Sequence, residues 1–158
     1  MCITNNGFLL YNLGMIQIKH NKCRMTKKRA NAFNAAMFHA VNLGLLEIDC
    51  TIRINFVKGY YKQTKMIASC VPFKNKVISI SIDADLSVEA MNCATAHEMV
   101  HAKQYIIGEL GYAKNGAFTW YGKKVKKGTP YHEMPWEVEA MQKEIIMAHS
   151  FIHFAAMV

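Results

Sequence analysis

The chain has 158 residues, 52% hydrophobic and 19% charged, with a formal net charge of +8. That length and balance fit one globular domain, exclude an intrinsically disordered chain, and favour acidic partners without naming one. The five cysteines are odd in number and form no C-x-x-C pair, which excludes a zinc ribbon and a disulfide framework and favours a reducing cytoplasm.

In chain order, the first apolar segment is "GFLLYNLGMIQI", broken by Asn12 and Gly14. It falls well short of the roughly 20 residues a spanning helix needs. It also lacks the basic start and small-residue cleavage site of a signal peptide, so no membrane association is expected. Met25 opens "MTKKRANAFNAAMF" in the manner of a protein start. Residues 1–24 are therefore expected to be an N-terminal extension, loosely attached or not native, ahead of a single domain over residues 25–158.

From Thr26 to about Leu43, Ala30, Phe33, Met37, Ala40 and Val41 recur at helical spacing, with Gly44 as the stop. "CTIRINFV" alternates Ile52, Ile54 and Phe56 against polar residues, the pattern of a half-buried strand. "KMIASCVPF" and "KVISISID" predict two more strands, joined by a turn at "KNK". Ser87 then caps a helix expected from about Val88 to Ile107, ending near Gly108 or Gly111. "AFTWYGKKVKKGTPY" predicts a lysine-rich hairpin, and Pro135 opens a last helix. The order of elements predicts an α+β fold: N-terminal helix, three-stranded sheet, motif helix, hairpin and C-terminal helix.

The motif helix carries "HEMVH": His97, Glu98 and His101. Residues four apart stand on one helical face, so two imidazoles at that spacing can converge on one ion. Glu98 is angled away from the pair and stays free for a metal-activated water, which makes it the expected general base. Seven histidines and eight glutamates in this chain would produce the pattern by chance roughly 0.015 times. Catalytic zinc takes three protein ligands, so a third must come from a later element. "YHEMPWEVEA" offers His132, Glu133, Glu137 and Glu139. A metzincin is excluded, because positions 104 and 107 hold Gln104 and Ile107.

"EVEA" resembles the E-x-x-A of gluzincin-type zinc peptidases, with Glu137 in the ligand position and Ala140 in the small one. The next residue is Met141, where that family often has Asp or Asn. Together "HEMVHAKQY", "TWYGKK" and "PWEVEA" are similar to small SprT-like metallopeptidases of phages and bacteria over about residues 76 to 145. The resemblance implies a minimal zincin fold, Zn²⁺ held by His97, His101 and Glu137, a protein or peptide substrate, and a cytoplasmic setting, in the host if of phage origin. His132 and Glu139 stay open as third ligands. The resemblance further implies that "KVISISID" is an edge strand able to pair with an extended substrate.

Tyr131 is a candidate catalytic residue that could donate a hydrogen bond to a developing oxyanion, or else close the hairpin against the core. Cys93 lies one turn before His97, while Gln104 and Tyr105 follow His101 towards either cleft or core. His149 and His153 belong to a helix end without a ligand set, and Trp120 and Trp136 are core anchors. The alternative to a peptidase is a non-catalytic, metal-containing binding module. It would use the hairpin lysines Lys123, Lys124, Lys126 and Lys127 to hold nucleic acid or a protein partner.

Overall fold

A computed structural model describes residues 16–21 and 23–157. The main sheet forms because three apolar rows line up across its strands. In β2 (Thr51–Val57) and β4 (Val77–Asp83), which run parallel, Ile52, Ile54 and Phe56 stand beside Ile78, Ile80 and Ile82. All six are buried. Each such side chain removed from water contributes roughly 1.5–3 kcal/mol. Strand β1 (Gln17–His20) extends the row, Ile18 pairing with Ile52. Strand β3 (Ala68–Phe73) closes the sheet antiparallel to β4, giving the order β1-β2-β4-β3.

Helix α1 (Lys27–Asn42) and helix α3 (Val88–Ile106) cover this apolar face. Thr26 caps α1 by accepting from the Arg29 amide. Its end is a Schellman turn: Gly44, at φ 70°, lets the Leu45 amide return to the Ala40 carbonyl, and Leu45 is wholly buried. Ser87 caps α3 by accepting from the Ala90 amide. Helix α3 is buried on several sides, because α1, β3, β4 and α4 (Pro135–Met157) all pack on it. Small residues at Ala94, Ala96 and Ala102 let these neighbours approach. A short helix, α2 (Tyr60–Thr64), links β2 to β3. Its first turn is anchored by Asp83, whose buried carboxylate accepts from the Tyr61 amide at 2.7 Å.

The fold is α+β, as expected, with three differences. The sheet has four strands rather than three, because Gln17–His20, assigned to the extension, pairs with β2. The hairpin is a three-stranded antiparallel sheet of β5 (Leu110–Tyr112), β6 (Phe118–Trp120) and β7 (Lys123–Lys124), with Lys126 and Lys127 exposed in the loop beyond it. And β4 is interior: β2 and β3 flank it, so the edge beside α3 is β3.

The register of β3 decides which of its groups face outward. The Asp83 amide donates to the Ile67 carbonyl, and Ala68 lies opposite Ile82. Antiparallel ladders alternate, so Ser69, Val71 and Phe73 bond β4, while the backbones of Ala68, Cys70 and Pro72 face the open side. Proline, which has no amide to donate, falls on an outward position as an edge strand requires.

Candidate metal centre

Helices α3 and α4 run antiparallel, since Gln104 bonds the Trp136 carbonyl while His97 reaches Glu144. Trp136, buried and packed against Phe118 with ring centroids 5.0 Å apart, pins the first turn of α4. The next residue, Glu137, thereby turns its carboxylate towards the two histidines of α3.

Three atoms converge there. His97 Nε2 and His101 Nε2 are 3.0 Å apart, and Glu137 Oε2 is 3.3 Å from each. Tetrahedral zinc with Zn–N bonds of 2.0–2.1 Å separates its ligand atoms by about 3.3–3.4 Å. The triangle matches that spacing to within about 0.4 Å.

The hydrogen bonds behind the rings decide what the atoms can be. Gln104 gives its amide group to the Trp136 carbonyl at 3.1 Å and to Glu139 Oε2 at 2.9 Å. Both are acceptors, so the Gln104 oxygen must face His101 Nδ1, 2.8 Å away, and that nitrogen carries the hydrogen. His97 Nδ1 donates likewise to Glu144 Oε2 at 2.6 Å. With both Nδ1 atoms protonated, the two Nε2 lone pairs point at each other and at Glu137 Oε2. That carboxylate oxygen is buried and accepts no hydrogen bond among the described residues. Three electron-pair donors at such distances repel unless a cation or a proton lies between them.

The electrostatics agree. Burial disfavours charge on His97, yet Glu137, Glu98 and Glu144 outweigh it and raise its pKa to about 9. Burial likewise works to raise Glu137, but His101, His97 and Tyr131 hold it down at about 2. A proton on His97 Nε2 can donate to His101 Nε2, and the upward direction of the shift reflects the surrounding carboxylates, which favour positive charge in the pocket.

Glu98 stands beside this centre and not in it. It is buried, and burial pushes its carboxyl up to about 7 although His101 and His97 pull the other way. Its Oε2 has no hydrogen-bond partner among the described residues. Glu98 lines two adjoining cavities, of about 230 and 700 Å³, and Tyr131 lines both as well. The Tyr131 side chain is largely exposed, and its hydroxyl is pushed up by partial burial and by the neighbouring Glu137 carboxylate.

The chain matches no protein-family model, no curated protein and no solved structure. What it shares with zincins is the geometry itself: two histidines one turn apart on a helix and a glutamate from a later one.

The other candidate ligands lie elsewhere. The His132 side chain is 74% exposed and faces Glu133 at 3.6 Å. Glu139 is bonded to Gln104 and Lys143, behind His101. Cys93 lines the larger cavity beside His97. Sequence reasoning left Gln104 and Tyr105 between cleft and packing; Gln104 is wholly buried and steadies His101 from behind, while Tyr105 lines the smaller cavity. Glu144 was missed, although its spacing of seven from Glu137 puts it on the same helical stripe. It supplies the histidine partner that Met141 does not.

Proposed function

We propose that the chain is a zinc-dependent metallopeptidase of the zincin type, akin to gluzincin and SprT-like enzymes. The observation that carries this reading is the set of three converging acceptors beside a buried carboxylate with an unpaired oxygen. His97, His101 and Glu137 would hold Zn²⁺, a His₂Glu donor set that suits catalytic zinc. The ion supplies Lewis acidity, acidifying water and polarising a carbonyl.

Glu98 Oε2 accepts the proton of the attacking water as its oxygen bonds to the peptide carbonyl carbon. As the C–N bond breaks, Glu98 returns that proton to the leaving nitrogen, so the carboxylate is regenerated. Tyr131 donates its hydroxyl hydrogen to the developing oxyanion. The outward backbone groups of Ala68 and Cys70 on β3 pair with an extended substrate, binding it through main chain.

The test is metal content and hydrolysis in Glu98→Gln and Glu137→Ala. Glu98→Gln keeps one zinc per chain and loses hydrolysis of a quenched peptide by 10²-fold or more, roughly what a general base contributes. Glu137→Ala loses the zinc. A metal-containing binding module would lose nothing in Glu98→Gln, and a chain that binds no transition metal ends the reading.

A further inference from the structure

The smaller cavity differs in kind from the larger. Its walls are rings in a continuous run: Tyr105 lies nearly parallel to Tyr112, Tyr112 is 5.0 Å from Phe118, and Phe118 is 5.0 Å from Trp136. Leu110 and Trp136 are buried, while Tyr112 and Phe118 are 51% and 37% exposed. Exposed rings gathered around one concavity mark a binding surface more often than a packing accident. Tyr112 and Phe118 stand on the sheet β5–β6, which reaches the cleft beside the candidate ligands and not behind them, since Glu98, His101 and Glu137 share the same cavity.

The edge strand connects this cavity to the backbone of a bound peptide. Cys70 lines it, and because Cys70 lies opposite the buried Ile80 and packs against the core, its side chain is on the face that α3 covers. Residues directly opposite one another on paired strands project from the same face. A substrate residue opposite Cys70 therefore sends its side chain among the rings. The residue two positions away, opposite Ala68, projects where the two cavities meet, because Ala68 lines both.

We propose that this ring-lined cavity is a specificity subsite for one aromatic side chain of the substrate, with Tyr112 and Phe118 as the residues that set the preference. An engineered cavity of about 150 Å³ accepts one benzene ring. The 230 Å³ here, which includes the space beside Glu98, His101 and Glu137, is room for one aromatic side chain of a substrate. The larger cavity, lined by Ile67, Ala90, Cys93 and Ala94 with Met66 shared between the two, contains no such stack of rings. The inference rests on the peptidase reading and adds the class of substrate.

The experiment uses the zinc-loaded full chain and quenched peptides that differ at one position at a time, carrying Phe, Leu, Ala or Lys. One position is expected to favour Phe over Ala by about 10- to 100-fold in kcat/KM, the range a filled apolar pocket supplies. Binding of the same peptides to zinc-loaded Glu98→Gln, read by fluorescence anisotropy, follows the same order. Tyr112→Ala, at a half-exposed position, cuts the Phe-to-Ala ratio to within about 3-fold in both readouts, and Phe118→Ala does the same. Hydrolysis without an aromatic preference, a preference for Lys, or one that survives both variants overturns the subsite alone. Aromatic-selective binding without hydrolysis overturns the peptidase reading and keeps the subsite, and absence of both overturns both.

Discussion

Gln104 is the residue on which the orientation of the candidate metal centre turns, and Gln104→Met tests it. The side chain is wholly buried, accepts from His101 Nδ1, and donates to Trp136 and Glu139. Methionine fills a similar volume but leaves the buried His101 N–H without its acceptor, while the Trp136 carbonyl keeps its helical partner within α4. An orphaned buried group costs about 1–3 kcal/mol, and a loss of that size is expected. That is a substantial part of the 5–15 kcal/mol typical of a domain. The freed ring also loses the bond that fixes its tautomer, which lowers metal affinity by about 10- to 100-fold. Gln104→Glu separates the two effects. Its carboxylate still accepts from His101 Nδ1, so zinc is retained, but it cannot donate to Trp136 and repels Glu139, so stability falls. Urea unfolding of the metal-free chain and zinc titration against a competing chelator measure the two quantities. Equal stability and equal zinc affinity in wild type and Gln104→Met would show that Gln104 does not set the ring, and the deduction of three facing acceptors would fail.

Three further outcomes are expected. Glu144→Ala removes the acceptor from His97 Nδ1 and weakens zinc binding by about 10- to 100-fold, with the circular dichroism spectrum unchanged; undiminished affinity would remove Glu144 from the site. His39 is fully buried, neither ring nitrogen has a partner among the described residues, and burial lowers its pKa to about 4. The unfolded chain takes up this proton near pH 6.5 and the folded one only near 4, so its contribution is complete above the first value and lost as pH falls towards the second. Between about pH 7 and pH 5 the wild type should lose about 2 kcal/mol relative to His39→Phe in denaturant titrations, and parallel curves would refute it. Ile80→Ala opens a cavity between β2, β3 and α3 and costs about 2–5 kcal/mol of unfolding free energy, whereas a change below 1 kcal/mol would mean the site collapses freely.

What could be read in advance followed local periodicity. The alternation of Ile52, Ile54 and Phe56, and of Ile78, Ile80 and Ile82, gave β2 and β4 because period two is a property of the strand itself. His97 and His101 share a face through the helical repeat alone, and Ser87 caps α3 as its side chain dictates. The misses are all matters of pairing at a distance. Strand β1 has one buried residue in four, too little signal to distinguish it from a tail. Whether β3 or β4 is the edge depends on β2 arriving from elsewhere, which no pattern within "KVISISID" records. Gln104 is three residues from His101 but is held by Trp136 and Glu139, and Glu144 is 47 residues from His97, so both partners act only once α4 has folded back along α3.

Pro72, the third outward-facing residue of β3 after Ala68 and Cys70, has a consequence for how the protein survives with an open flank. A bare sheet margin invites a second copy to zip on and grow a fibre. Here hydrogen-bonded extension past Cys70 meets a pyrrolidine ring with nothing to give, so any added chain is confined to a short berth alongside Ala68 and Cys70. The flank can receive a visiting strand at the end beside the candidate metal centre and refuses to become the seam of an aggregate.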